Sequence, residues 1–293
     1  MEIFGIPIQA MMGQLLIGLI NGSFYALLSL GLAVIFGLLN IINFAHGAQY
    51  MLGAFGAYLL LNKLGLGYWW SLLIVPIIVG ATGLVIERTM LVRLYKLDHL
   101  YGLLLTFGLA LIIEGLFRNE FGSTGLPYAM PEALQGSRNL GFMFLPNYRA
   151  WIIGASLIVC LSTWFVIERT KLGAYLRAAT ENPDLVRAFG INVPRMLMLT
   201  YGLGVGLAGF SGVMAAPIYQ VNPLMGADTI IVVFAVVVIG GMGSIMGAIV
   251  TGFGLGLVEG LTKVFYPEAS NTVIFVIMAL VLMVRPQGLF GSR

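Results

Sequence analysis

Residues 171–195 read KLGAYLRAATENPDLVRAFGINVPR, a polar segment between two long apolar stretches of the chain. Asn182 is a typical helix N-cap, and Pro183 is typical of the first helical position. Gly190 is typical of the residue that follows a helix, because it adopts left-handed backbone angles without strain. The segment therefore predicts two short helices outside the bilayer, at about 172–181 and 183–189.

The same segment has the features of a docking surface. Leu185 and Phe189 are four residues apart, so they share one face of the second helix and are expected to enter a groove on a partner protein. Asp184 and Arg187 suit the dipole at the two ends of that helix. The alternative is a solvated basic loop that only fixes topology. Two capped helices within one loop favour docking.

The composition of the chain identifies its class. Hydrophobic residues make up 59% of the 293, charged residues make up 9%, and the mean hydropathy is +0.98. A water-soluble domain could not place so many apolar side chains on its surface. We therefore expect an all-α polytopic membrane protein, folded as a single transmembrane domain over 1–293 and surrounded by membrane lipid.

Apolar segments recur along the chain and set the number of helices. Since about 20 apolar residues cross a bilayer as a helix, the first segment is long enough for two helices, and Asn21-Gly22-Ser23 marks a candidate break. Three short segments are expected to be tilted, extended by neighbours or re-entrant. The prediction is eight to ten transmembrane or re-entrant helices. The segments lie at about 9–42, 48–61, 68–86, 99–117, 150–167, 196–217, 227–240, 244–262 and 272–284.

The distribution of Lys and Arg indicates orientation. Most of them lie in the gaps near 87–98 and 168–195 and at the C-terminus, which are therefore expected to face the cytoplasm. The stretch 118–149 then forms an external loop. The side of the N-terminus depends on whether 9–42 crosses once or twice. The basic residues that set this orientation are Arg88, Arg93, Lys96, Arg169, Lys171, Arg177, Arg187, Arg195, Arg285 and Arg293.

A five-residue sequence occurs twice in the chain. Val85–Thr89 and Val166–Thr170 both read VIERT, and each ends an apolar segment on the predicted cytoplasmic side. The match is compatible with a same-sense internal repeat and equally with chance, because helix exits favour Glu and Arg.

Glycine is abundant, with 39 residues, and many lie at helical spacing. Gly252, Gly256 and Gly260 form two overlapping GxxxG patterns, and Gly18 and Gly22 form another. Such patterns predict close helix packing, within the chain or between subunits. They identify no particular dimer.

Several kinds of enzyme chemistry find no support. Gly209–Gly212 reads GFSG, as in rhomboid intramembrane proteases, but both His46 and His99 precede Ser211. Packing explains this serine better than catalysis.

The dipeptide Gly-Lys does not occur, so the chain has no Walker A loop to bind a nucleotide. No His/Cys cluster has the spacing of a metal site, and the scattered charge argues against nucleic acid as a partner. We expect no catalytic residue, no metal and no cofactor in this chain.

Polar residues within apolar segments are candidates for a substrate path, because buried polarity usually faces a bundle interior or an aqueous route. Glu114 and Glu259 have an alternative place near helix ends at the headgroups. Asn43–Gly47 is compatible with a helix break that lines a cavity or with a connecting turn. The buried polar set is Gln14, Asn21, Asn43, His46, Gln49, Glu114 and Glu259, of which Asn21, Asn43, His46, Gln49 and Glu259 are the predicted path residues.

Four separated stretches resemble the permease subunits of branched-chain amino acid ABC importers, of the LivH type. They are GSFYALLSLGLAVIFGLLNIINFAHGAQYMLGAF at 22–55, LRAATENPDLVRAFGINV at 176–193, GGMGSIMGAIVTGFGLG at 240–256 and RPQGLFG at 285–291. They occur in the order typical of the family and span nearly the whole chain. The resemblance is specific to the permease family and less so to the substrate.

The resemblance implies a multi-pass subunit of a bacterial or archaeal cytoplasmic membrane. It would pair with a second, LivM-like permease, and two cytoplasmic ATPases that bind ATP and magnesium would drive it. A periplasmic binding protein would deliver the substrate.

Under the resemblance, 171–195 is the cytoplasmic coupling loop. Other importer classes begin this region with Glu-Ala-Ala, whereas this chain reads Ala178-Ala179-Thr180-Glu181, which leaves the individual contacts open. The candidate coupling residues are Gly173, Arg177, Ala178, Glu181, Asn182, Asp184, Arg187, Phe189 and Gly190.

The predicted function is half of the translocation path for branched-chain amino acids or related small polar substrates. A self-sufficient secondary transporter or channel that uses Glu114 or Glu259 is the main alternative. An intramembrane serine protease is a remote one. No side chain in the sequence alone separates a leucine from an amide, and the sequence leaves open whether the permease pair is homo- or heterodimeric.

Overall fold

A computed structural model describes residues 2–3, 6–39, 41–95, 97–141 and 143–291. The chain is all-α, with 79% of it helical. Two short antiparallel hairpins pair β1 (Glu2–Ile3) with β2 (Ile6–Pro7) and β3 (Ser137–Asn139) with β4 (Phe144–Pro146). The helices are α1 (Ile8–Leu39), α2 (Ala45–Leu64), α3 (Tyr68–Thr89), α4 (His99–Phe121), α5 (Asn147–Arg169), α6 (Lys171–Glu181), α7 (Pro183–Ala188), α8 (Val193–Tyr219), α9 (Met225–Gly240), α10 (Ile245–Phe265) and α11 (Val273–Val284).

Six helices of the described chain are long and apolar enough to cross a membrane, namely α1, α3, α4, α5, α8 and α10. The apolar helices α9 and α11 are shorter, with 16 and 12 residues. Each predicted apolar segment corresponds to one helix. The total of eight to ten crossing or re-entrant helices stays a prediction, because it depends on how α2, α9 and α11 sit in a bilayer.

The candidate break in the first segment is wrong, because α1 runs unbroken through Asn21-Gly22-Ser23. The Ser23 hydroxyl donates to the Leu19 carbonyl one turn earlier, at 2.9 Å. Gly22 brings α1 close to α10, since a Cβ there would lie 3.0 Å from the Phe253 Cα atom. These small and polar residues therefore serve packing between helices rather than a turn.

Two predicted boundaries move slightly. The stretch between α4 and α5 covers 122–146 rather than 118–149, because both helices extend into the predicted loop. Likewise α8 takes up the last three residues of the predicted loop 171–195. Both shifts are of the size expected at helix ends.

The loops gather at two faces of the helix bundle. One end of the bundle is called the basic face. There α1, α3 and α5 end and α4, α8 and α10 begin. The other end is called the opposite face. Gly31 of α1 lies against Gly204 of α8, and Gly37 lies against Gly243 just before α10, which places these helix ends together. The basic face carries the polar segment and the C-terminal stretch, where the Phe290 N–H donates to the Gly240 carbonyl at 3.1 Å.

Helix α2 begins inside the bundle instead of at a face. The His46 Nε2–H donates to the Leu28 carbonyl at 3.0 Å, and Leu28 lies 11 residues before the end of α1. At 1.5 Å per residue this is about 16 Å below the basic face. The irregular segment 41–44 leads to this point. Thr106 shields its backbone by accepting from the Phe44 N–H and donating to the Ile42 carbonyl, both at 3.1 Å. Irregular backbone at such depth requires protein partners of this kind.

Helix α9 also begins inside the bundle, after the irregular segment 220–224. The backbone of Val221 exchanges two hydrogen bonds with Leu126 from the 122–146 loop, at 2.8 and 2.9 Å. The starts of α2 and α9 cross at Gly47 and Gly226, where a Cβ on Gly47 would lie 2.5 Å from the Gly226 oxygen. From this crossing α2 runs to the opposite face and α9 runs to the basic face.

The two halves of the bundle have an inverted relation. Helix α1 packs along α10, and α8 packs along α3 in the same manner. Helices α2 and α9 each follow an irregular segment and cross each other at the centre. The two VIERT sequences lie at the ends of α3 and α5, both at the basic face. The inverted relation does not superimpose α3 on α5, so the VIERT match is not part of it.

Candidate functional site

A buried carboxylate joins α1 to α10. Glu259 is 3% exposed and accepts hydrogen bonds from Asn21 Nδ2 at 3.1 Å and from the Tyr25 hydroxyl at 2.8 Å. Lys263, one turn later on α10, forms an ion pair with the same carboxylate at 2.5 Å. Asn21 and Glu259 were both predicted path residues, and the structure brings them together although 238 positions separate them.

Removing this carboxylate should destabilise the bundle strongly. Glu259→Ala leaves the half-buried Lys263 ammonium and two half-buried donors, Asn21 and Tyr25, without their acceptor. We expect a cost of about 3 kcal/mol, the lower end of the range for buried pairs. The thermal midpoint of the detergent-solubilised protein should fall well below that of Glu259→Gln, which keeps one acceptor oxygen. The double variant Glu259→Gln/Lys263→Met should recover stability relative to Glu259→Gln. An Ala variant as stable as wild type would contradict this account.

A polar cavity of about 310 Å³ lies between α1, α2, α8 and α9, next to the Glu259 network. Asn21 connects the two, because its Oδ1 accepts from the Tyr219 hydroxyl at 3.0 Å while its amide donates to Glu259. Asn21 therefore lines the cavity and Glu259 stands behind it. The cavity is lined by Asn21, Phe24, Tyr25, Tyr50, Tyr219, Asn222, Met225, Asp228 and Thr229.

Sequence reasoning missed most of the polar lining of this cavity. Three of these polar residues lie around the start of α9, namely Asn222, Asp228 and Thr229. In the sequence, this region is only the beginning of a short apolar segment. A signal was present, because Asn43-Phe44-Ala45-His46-Gly47-Ala48 and Asn222-Pro223-Leu224-Met225-Gly226-Ala227 share the pattern Asn-x-x-x-Gly-Ala. The two stretches are the entrances to α2 and α9.

The other predicted path residues form a separate, closed cluster. Asn43, His46 and Gln49 have no exposed surface, and Asn43 Nδ2 donates to Gln49 Oε1 at 3.0 Å. Asn43 Oδ1, His46 Nδ1 and Gln49 Nε2 find no hydrogen-bond partner among the described residues. The stretch is a helix break at depth, as one of the two interpretations held, and its polar side chains do not reach the cavity described above.

The remaining polar positions lie apart from the cavity. Glu114 lines an apolar groove of about 230 Å³ between α2, α4 and α9. Gln14 places its backbone carbonyl against Gly260 of α10. The Ser211 hydroxyl is buried and bonds to no histidine in the described chain, so no protease dyad is formed there. The described residues also contain no group of His, Cys, Asp or Glu placed to hold a metal ion.

The polar segment 171–195 contains two helices, α6 and α7, whose ends lie within one residue of the predicted ones. Gly173 is required where α6 meets α5, because a Cβ there would overlap the Ile167 carbonyl. The same carbonyl accepts from Arg177 Nη1 at 2.9 Å, and that guanidinium pairs with Glu168 at 3.3 Å. Gly173 and Arg177 therefore hold α6 against the end of α5.

Local contacts define α7. Asn182 Oδ1 accepts from the Leu185 N–H at 3.0 Å, which is the predicted N-cap bond. Asp184 and Arg187 form an exposed pair at 3.3 Å, and Gly190 has a φ of +80°, as its place after the helix predicts.

The outer surface of the segment is solvent-accessible and partly apolar. Leu185 is 55% exposed and Phe189 is 77% exposed, while Val186 packs inward at 6%. Leu172 and Tyr175 add apolar surface on α6. Large apolar side chains this exposed, rimmed by charges, are typical of an interaction surface. The predicted coupling residues that share this surface are Ala178, Glu181, Asn182, Asp184, Arg187, Phe189 and Gly190.

The chain matches a known family over most of its length. The family model described as the permease component of branched-chain amino acid transport systems matches residues 14–283. The chain is 29% identical to the high-affinity branched-chain amino acid transport system permease protein LivH of Escherichia coli K12, over 95% of this chain and 94% of that protein. It is 30% identical to the BraD permease protein of Pseudomonas aeruginosa, over 95% of each chain.

More distant similarity extends to the other permease type. The chain is 28% identical to the Escherichia coli K12 permease protein LivM, over 90% of this chain and 67% of that protein. No solved structure shows a significant match. The apolar helices agree with a membrane permease, and the match over 14–283 decides the family: this chain is a member of the permease components of branched-chain amino acid transport systems.

Proposed function

We propose that this chain is one permease subunit of an ATP-driven importer that moves branched-chain amino acids across a bacterial or archaeal cytoplasmic membrane. The observation that carries the proposal is the family match over residues 14–283, together with near-complete coverage of LivH and BraD. The polar cavity among α1, α2, α8 and α9 supports it, because transporter sites are often formed where discontinuous helices begin at mid-depth.

The partner permease is LivM-like. In Escherichia coli, LivH and LivM are both named as permease proteins of a high-affinity branched-chain amino acid transport system. This chain is similar to LivH along nearly all of its length and to LivM more distantly. That pairing supports a heterodimer of a LivH-like and a LivM-like subunit, with this chain in the LivH-like position.

The polar segment 171–195 couples ATP hydrolysis in the partner subunits to movement of the permease helices. Two cytoplasmic ATPases bind ATP and magnesium and dock on the exposed surface around Leu185 and Phe189. The basic face and the C-terminus then lie in the cytoplasm, and the 122–146 loop lies outside, where a periplasmic binding protein delivers the substrate. Closure of the ATPases draws the docked helices together and tilts the bundles, so that a central path opens alternately to each side.

The experiment that tests this function is purification of the tagged chain from its native membrane under gentle detergent, with mass spectrometry of the bound proteins. Recovery of a Walker-type ATPase and a LivM-like permease is the expected result. Reconstitution of that complex with its binding protein should give ATP-dependent uptake of leucine, isoleucine or valine. Recovery of the chain alone, with uptake that needs no ATPase, would support the self-sufficient transporter and direct attention to Glu114 and Glu259.

A charge reversal on the docking helix should separate assembly from folding. Arg187→Glu places a second acidic group beside Asp184, at a position where the two side chains now form a pair. We expect reduced ATPase recovery and reduced transport with normal membrane insertion. Arg138→Glu, the same change in the hairpin at the opposite face, is the matched control for ATPase recovery. Full transport by Arg187→Glu would refute a role for this position in coupling.

A further inference from the structure

An acidic side chain opens into the polar cavity at mid-depth. Asp228 lies in the first turn of α9, is exposed, and forms no ion pair within the described chain. It is 12 residues before the end of α9 at Gly240, or about 18 Å from the basic face. A carboxylate at that depth is costly against lipid, so this side of α9 faces an aqueous path or a partner and not hydrocarbon.

A second polar group lines the same cavity. Tyr50 of α2 is 2% exposed overall and lines the cavity. A tyrosine hydroxyl at a cavity wall can donate a hydrogen bond to a ligand or a water. Asn222 adds to this wall. Its Oδ1 accepts from the Leu224 N–H at 3.0 Å, and its amide N–H groups are available for another acceptor.

The cavity also offers apolar surface. Phe24 of α1 and Met225 of α9 line it together with the polar groups. Its volume of about 310 Å³ falls at the lower end of the range for small-molecule sites. The lining thus combines an acceptor with negative charge, neutral hydrogen-bond donors and an apolar wall.

We propose that this cavity binds the transported substrate as a zwitterion. The protonated amine binds Asp228, the carboxylate accepts from Tyr50 and Asn222, and the aliphatic side chain lies against Phe24 and Met225. The proposal rests on the proposed function and adds a selection rule to it. The site requires a cationic amine and disfavours uncharged amides, urea and substrates that carry only carboxylates, because these leave Asp228 unpaired or repelled.

The test uses the complete complex in proteoliposomes, with the binding protein at saturation and radiolabelled leucine outside. Asp228→Asn should lower leucine uptake roughly tenfold or more, since it removes a hydrogen bond between charged groups. ATP hydrolysis stimulated by the binding protein should stay near the wild-type rate. A purely structural defect would lower both rates together. Asp228→Glu keeps the charge and should recover part of the uptake. Tyr50→Phe, which removes only the hydroxyl, should lower uptake without changing ATP hydrolysis.

Glu120→Gln in the last turn of α4 is the matched control, because it removes one negative charge from an exposed position that does not line the cavity. Its leucine uptake should equal that of wild type. Uptake by Asp228→Asn at the wild-type rate would overturn the cavity proposal and leave the proposed function standing. If the assembled wild-type complex moves no branched-chain amino acid, the proposed function is wrong and the cavity proposal falls with it.

Discussion

Phe189→Ser should release the ATPase from the permease while leaving the permease folded. The side chain is 77% exposed and makes little contact within the chain, so its removal costs the fold almost nothing. In a docked complex the same ring would fill a groove. Loss of such an aromatic anchor typically costs about 2 kcal/mol or more, which is roughly thirtyfold in affinity. Transport should fall in parallel, because the energy source no longer reaches the helices.

The measurement is the amount of ATPase recovered with the tagged permease at equal permease yield. Phe144→Ser is the matched control, since Phe144 is 66% exposed in the hairpin at the opposite face and loses the same ring. Leu185→Ser should act in the same direction as Phe189→Ser. Equal ATPase recovery from wild type and Phe189→Ser would show that the ATPase docks elsewhere.

Gly226→Val should prevent the bundle from closing at its centre. A Cβ on Gly226 would lie 2.5 Å from the Gly47 carbonyl carbon, and the contact involves backbone that no side-chain rotation can relieve. Overpacking of this kind costs on the order of 3 kcal/mol. We expect a large loss of monodisperse protein in detergent and a lower thermal midpoint for what remains.

The matched control for that variant is Gly254→Val on α10, where an added Cβ meets nothing within 4 Å. Both changes add the same branched side chain to a helix, at the second residue of α9 and in the interior of α10, so a larger loss at Gly226 reflects its contact with Gly47. A Gly226→Val protein as stable as Gly254→Val would show that α2 and α9 do not cross as described.

Features that depend on neighbouring residues were predictable. The ends of α6 and α7 follow from Asn182, Pro183 and Gly190, whose preferences act within one helical turn. The apolar segments likewise predicted every long helix, because each must present apolar residues all around. Family membership was readable from the four stretches that resemble the permease family, and it is confirmed by the match over 14–283.

Features that depend on distant residues were not predictable. Asn21-Gly22-Ser23 resembled a break because the sequence does not show that α10 supplies Glu259 and the backbone against which these residues pack. The cavity was missed for the same reason, since Tyr50 and Asp228 lie on different helices that meet only in the folded bundle. The five-residue VIERT match lies at two helix ends and does not reflect the internal symmetry. The weaker Asn-x-x-x-Gly-Ala pattern does reflect it, because it lies at the starts of α2 and α9 in the centre of the bundle.

The inverted pairing of α1 with α10 and of α8 with α3 bears on the energetics of transport. A half-turn superimposes one half of such a molecule on the other and exchanges its two faces. Each conformation open to one face therefore has a counterpart that is open to the other face and has similar contacts. Such counterparts are expected to differ little in free energy. A ligand or nucleotide then needs only a small differential affinity to exchange their populations. In this chain the repeated entrances to α2 and α9 cross at Gly47 and Gly226. Under the proposed function, we expect that crossing to be the pivot of the exchange.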